Sequence, residues 1–382
     1  MTRFQDTAMK AGRVASLVIM ASALFVAAAS NSHAACTAAT THTLSPAACG
    51  VVISTAGCYN MTTSLVATSD GGDCILITAP SVYLNLTGES VTGTGAASTG
   101  NGIHLASTAA GATIVGGSVS GFDIGILADA RVVLEAPDVE GNNGDGIQLS
   151  SAAASKIVSG TSSSNGGNGV TITGSNSFTL VSFDTSSNRG SGISVNTSSA
   201  GDITDSTANS NSLSGITLNK SNSTNIPGLN ANSNGTYGVE VISSTGNKIF
   251  GTAINLNGIY GVYLKESSSN VVASPGGEVH CNGLVDVYLG CSDTAGPNGI
   301  ACPTRSSANE LDGVVVFGTG VNPYGIVIDL GNTANKVLAS NGSTDTIDDM
   351  YDANKAGQNT WFGNIFTTAN QSYIHSARRQ HR

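Results

Sequence analysis

An all-β solenoid, a single right-handed parallel β-helix of about eleven coils, is the fold this sequence predicts, and three columns of residues carry it. The phrase Gly-aliphatic-x-aliphatic returns from Gly102 to Gly261 at steps of 23, 21, 23, 23, 23, 23 and 23 residues, and Asp286 follows after 25 more. It reads Gly102-Ile103-His104-Leu105 at the start and Gly261-Val262-Tyr263-Leu264 near the end. Ile157, Leu180, Ile203, Ile226, Ile249 and Val272 share the period, so each unit holds a second buried strand. Asn142, Asn165, Asn188, Asn211, Asn234, Asn257 and Asn282 form the third column.

A unit of 23 residues with two or three short alternating pieces makes one coil, and adjacent coils pair in parallel about 4.8 Å apart. At that spacing the asparagines stack as a structural ladder, their amides bonding up the column. Asparagine also tolerates the left-handed backbone of a sharp corner. Right-handedness follows from the preference for right-handed crossovers between parallel strands. Eleven coils span roughly 50 Å.

These repeats resemble those of the right-handed parallel β-helix, or pectin-lyase-like, superfamily. They resemble in particular the bacterial secreted β-helix family that contains the periplasmic accessory protein of nitrous-oxide reduction. The resemblance covers Cys49 to Gln371. It implies architecture; the superfamily holds lyases, hydrolases, epimerases, adhesins and proteins without assigned roles, so function must be argued from the site.

Residues 1–34 read as a signal peptide, with Arg3, Lys10 and Arg13 before the uncharged run Val14–Ala29, then Ser32-His33-Ala34. Their removal moves the formal charge from −10 to −12. An acidic protein offers no basic footprint for nucleic acid, and no second long apolar segment remains for a membrane. A secreted or periplasmic location follows.

The helix occupies residues 35–372. Residues 35–73 form the N-terminal cap and first strands, 290–305 a loop insertion of 16 residues, 351–372 a closing segment that holds the only tryptophan, Trp361, and 373–382 a basic tail. Seven cysteines in an exported chain predict disulfides. Cys291 with Cys302 closes the insertion; among the early four, Cys36 with Cys49 and Cys58 with Cys74 are favoured over two other connectivities. No Cys-x-x-Cys occurs and the histidines are scattered, so neither a metal nor another cofactor is expected.

Catalytic motifs of lyases or polygalacturonases are missing: there is no Asn-Thr-Asp, Gly-His-Gly or Arg-Ile-Lys. Asp348-Asp349 reads as a solvated loop. The outward position of each Gly-aliphatic-x-aliphatic strand runs His104, Leu127, Gln148, Thr171, Ser194, Thr217, Glu240, Tyr263 and Tyr288, growing richer towards the C-terminal coils. Glu240, Tyr263, Lys265, His280, Asp286 and Tyr288 are therefore the expected ligand-binding residues, with the two tyrosine rings lying against sugar faces. Glu240, Glu266 and His280 are the expected carriers of any acid–base chemistry. The function read from this is binding of extracellular or periplasmic polysaccharide; the alternative is a polysaccharide-modifying lyase, hydrolase or epimerase.

Overall fold

The computed structural model describes residues 36, 41–46, 48–274, 276–290, 305–317, 324–343, 348–372 and 374. The expected signal peptide, the Cys291–Cys302 pairing and most of the insertion and basic tail lie outside them.

Parallel strands form the whole of the described fold, and no helix occurs among the described residues. A 13-stranded sheet takes one short strand from each coil, from Val51–Ile53 to Asp348–Asp352, which makes about twelve turns. A 15-stranded sheet forms the second face. The third face begins as a five-stranded sheet and continues through single bridges such as Thr161 with Asp184 and Asp184 with Thr207.

Register follows the repeat residue for residue. Ile147, Val170, Ile193 and Ile216 pair in sequence, as do Gln148, Thr171, Ser194 and Thr217. Period-2 alternation then sends Ile147 and Leu149, or Ile193 and Val195, to a core where they are fully buried. Leu180, Ile203, Ile226 and Ile249 close that core from the 15-stranded sheet.

The asparagine and glycine columns belong to one corner. Asn188 donates its backbone N–H to Asn211 Oδ1 at 2.9 Å and its side-chain amide to the same oxygen at 3.2 Å, to Ser162 O at 3.0 Å and to Thr185 O at 3.0 Å. Each asparagine from Asn142 to Asn257 donates in the same direction to the next. A Cβ on Gly192 would stand 2.8 Å from Asn211 Nδ2 and 2.7 Å from Gly215 O, so glycine recurs because the next coil's asparagine fills its side-chain space. The left-handed residue is not the asparagine but the one before it, with φ of 57° at Ser164, 63° at Ser187 and 56° at Ser210. That corrects the expectation for the corner: the turn is made one residue early, which leaves the asparagine free to point inward.

Two features depart further from expectation. Cys49 is bonded to Cys74, with Cα atoms 4.2 Å apart, rather than to Cys36, and Cys58 is not bonded to Cys74. A solenoid brings together residues one coil apart: Gly50 and Val51 both donate backbone N–H to Cys74 O, so the two cysteines sit on stacked rungs, 25 residues apart in sequence. Cys36 and Cys58 are each disulfide-bonded as well. Asp348-Asp349 is not a loop; it opens the last strand of the 13-stranded sheet, where Asp349 is buried and accepts backbone N–H from Thr367 and Thr368.

Candidate functional site

The outer face of the 13-stranded sheet is the candidate site, because there each coil presents one side chain in exact succession. From Leu76 the column runs His104, Leu127, Gln148, Thr171, Ser194, Thr217, Glu240, Tyr263, Tyr288, Val327 and Tyr351, every neighbour paired in register. Its middle is polar and partly exposed. Asn168 Nδ2 donates to Thr171 Oγ1 at 3.0 Å, Asn196 Nδ2 to Ser194 Oγ at 3.1 Å, and Thr217 Oγ1 to Glu240 Oε2 at 3.3 Å. These bonds orient hydroxyls and amides along the strip without burying them.

At one end stands His104. Its Nδ1 lies 2.8 Å from Asp73 Oδ2 and its Nε2 3.1 Å from Asp129 Oδ2, carboxylates from the coil on either side. Burial opposes the charged ring, but the hydrogen bonds and charges of Asp73 and Asp129 outweigh it and raise the His104 pKa above the usual 6.5. An imidazole that meets an acceptor at both nitrogens is best satisfied as the cation. Sequence reasoning placed His104 on the strip but missed its partners, since Leu76 and His104 are 28 residues apart and the early coils keep no fixed count.

At the other end the expected ligand residues separate. Tyr263 and Tyr288 do point away from the core, yet both are fully buried. They belong to a second apolar cluster with Tyr237, Tyr260, Val285 and Val327, in which Tyr263 and Tyr288 stack at 5.4 Å and Tyr260 and Tyr288 meet at 4.7 Å. Rings on neighbouring rungs are wide enough to cover one another, so stacking replaces the exposure expected of them. Tyr288 also donates its hydroxyl to buried Asp329 at 2.8 Å.

Asp286 is likewise buried rather than marginal to a groove. It occupies the glycine position of its coil, next to Gly261 in register, and its Oδ1 accepts the backbone N–H of Asn282 at 3.2 Å and the amide at 2.8 Å. Glu240 and Lys265 remain partly exposed on the strip, with the Lys265 ammonium 6.0 Å from the Tyr263 ring centroid. His280 lies on the third face, within Glu278–His280, apart from the strip. Glu266 accepts from Ser243 Oγ at 3.2 Å.

Comparison with known proteins places this geometry. A family model described as periplasmic copper-binding protein (NosD) matches residues 94–274, a little under half of the chain. No curated protein matches in sequence. Among solved structures, the chain is similar to the Azotobacter vinelandii mannuronan C-5 epimerase AlgE4 A-module, with TM-score 0.54, 12% identity, and coverage of 87% of this chain and 91% of that one. It is also similar to the Dettilon tailspike protein (gp208), with TM-score 0.51, 13% identity, and coverage of 85% of this chain; it spans 61% of the tailspike's length. At such identities the likeness is one of fold: the chain is a parallel β-helix protein.

Copper, which the family description names, finds no fitting set here. Among the described residues no group of three or more His, Cys, Asp or Glu could hold a metal ion. His104 turns its two nitrogens to carboxylates on opposite ring edges, so Asp73 and Asp129 cannot converge with it on one cation. The Cys49–Cys74 disulfide puts the protein in an oxidising compartment outside the cytoplasm, periplasmic or secreted.

Proposed function

We propose that the protein binds an extended, hydroxyl-rich polysaccharide along the outer face of the 13-stranded sheet. The observation that carries this reading is the unbroken register of Gln148, Thr171, Ser194, Thr217 and Glu240, partly exposed donors and acceptors at a repeat of about 4.8 Å. A linear polymer can follow such a row. Asp73, Asp129 and Glu240 give the strip an acidic character, and the chain carries a net charge of −10, so an uncharged glycan is favoured over a polyuronate. Glu240 and Lys265 supply polar contacts at its C-terminal margin, where the buried tyrosines end the row.

Affinity gel electrophoresis of the mature protein against a panel of neutral polysaccharides tests this. The triple variant Thr171→Ala, Ser194→Ala, Thr217→Ala removes three hydroxyls worth about 0.5–1.5 kcal/mol each. Retention should weaken by about tenfold or more with the circular-dichroism spectrum unchanged. Equal retention by the variant, or none by the native protein on any member of the panel, would sink the proposal.

The alternative reading, a polysaccharide-modifying enzyme, draws support from His104, a proton carrier held between two carboxylates on that same face. It requires release of reducing or unsaturated sugar ends by the native protein and its loss in His104→Gln.

A further inference from the structure

On the third face, the corner before each ladder asparagine uses the same three positions in every coil. They read Asp184, Ser186 and Ser187 in one coil and Asn230, Asn232 and Ser233 in another. In the last coil of the ladder they read Glu278, His280 and Cys281. The backbone demands nothing new there. Cys281 is left-handed, with φ 55°, as Ser233 is with φ 58°. The His280 N–H donates to Asn255 Oδ1 at 3.0 Å just as the Asn255 N–H donates to Asn232 Oδ1 at 2.9 Å. What changes is the chemistry of three side chains that the corner already holds together.

Those side chains are in contact. His280 Nδ1 lies 2.9 Å from Cys281 Sγ, and Nε2, on the other ring edge, lies 3.3 Å from Glu278 Oε2. A carboxylate beside Nε2 favours the tautomer with its proton there, which leaves the Nδ1 lone pair facing the thiol. Burial lowers the His280 pKa and outweighs the pull of Glu278, so the ring is neutral at pH 7 and able to accept a proton. Cys281 carries a thiol and is partly exposed. Nucleophile, base and orienting carboxylate therefore stand in the order that activates a nucleophile.

We infer that Cys281 is a reactive thiol that undergoes thiol–disulfide exchange with a disulfide-bonded substrate. The Cys281 Sγ–H proton passes to His280 Nδ1, and the sulfur's electron pair attacks one sulfur of the substrate disulfide. That S–S bond breaks, and the departing sulfur leaves as a thiolate that takes the proton back from the imidazolium. Cys281 ends in a mixed disulfide, with the substrate as the oxidant. Exchange suits this corner because it needs no oxyanion donors, and the oxidising compartment supplies disulfides. The site lies on a different face from the strip and does not depend on glycan binding.

The test incubates the full mature protein with glutathione disulfide at pH 7 and follows Cys281 by peptide mass mapping. Cys281 should form the mixed disulfide faster in the folded protein than in the urea-unfolded chain. His280→Asn should slow it by about tenfold or more, since a positioned base contributes on the order of 10²–10⁴. The variant's pH–rate profile should move to that of an ordinary thiol, with circular dichroism unchanged. Glu278→Gln, which leaves the corner's backbone bonds alone, should slow the reaction part of the way, and Cys281→Ser should abolish it. A parallel arm with a disulfide-bonded peptide separates the sources, faster reaction with the peptide identifying a protein partner and faster reaction with glutathione a small molecule. No modification of Cys281 by either, a rate no greater than in the unfolded chain, or equal rates in both histidine and glutamate variants would overturn the inference.

Discussion

At the scale of single residues, the side chains with most to do are the charged ones that the repeat does not need. His104 is the first. Its pKa in the folded protein is raised above the 6.5 of a free histidine, so its protonation stabilises the fold. That contribution is fully present below about pH 6.5 and is lost as pH rises through the folded value. The melting temperature of the native protein should therefore fall relative to His104→Gln as pH is taken from about 6 to 8. A constant difference across that window would show that the ring does not titrate with its two carboxylates. Sequence alone displayed His104 in the outward column. Its partners Asp73 and Asp129 come from coils whose lengths break the count, so proximity in space left no trace in the spacing.

At the scale of the element, the asparagine ladder shows what a period can and cannot reveal. The column from Asn142 to Asn282 is legible because its steps repeat. A second ladder, Asn247, Asn270, Asn309, Asn335 and Asn359, bonds in the same head-to-tail manner, yet its steps of 23, 39, 26 and 24 hide it. Both ladders end on a buried carboxylate. Asp286 accepts from Asn282 in the first, and Asp352 accepts from the Asn359 amide and from the Trp361 indole N–H at 3.0 Å in the second. Trp361 thus serves the closing segment through a hydrogen bond as well as by packing on the core. Asp286→Ala should cost about 1.5–3 kcal/mol, the range for hydrogen bonds to a charged group, and Asp286→Asn clearly less, because its amide oxygen still accepts. Urea unfolding measures both; equal losses would mean that the negative charge, not the acceptor, is what matters. Alternation predicted that Tyr263 and Tyr288 face outward, and they do. It says nothing about which neighbours cover an outward ring, and that is why their burial could not be read.

At the scale of the molecule, architecture was legible because every coil poses the same packing problem and solves it with the same residues. Between Gly146 and Gly261 the core, the corner and the register all repeat, and each part of the pattern reinforces the others. The ends and the C-terminal coils obey local needs instead. There the disulfide joins rungs rather than neighbours along the chain, and the acid pair Asp348-Asp349 becomes strand.

The replacement of glycine by Asp286 has a consequence for the length of the protein. Each coil upstream offers the next a set of donors and takes an identical set from the one before, so the array behaves as a growing chain of equal monomers. Asp286 is its terminator: a carboxylate occupies the space the next asparagine would need, and it accepts without passing a donor on. Length should therefore be adjustable before that point and not across it. Tandem duplication of residues 192–214 should yield a folded protein one rung longer, its circular dichroism still that of β-sheet and its melting temperature within a few degrees of the parent. A duplication of residues 261–283 that places a second Asn282 corner beneath Asp286 keeps the terminator last and should also fold. Duplication of residues 286–308 stacks a new coil on the carboxylate and should lower the melting temperature sharply. Natural variation in coil number would then be confined to one side of a single residue.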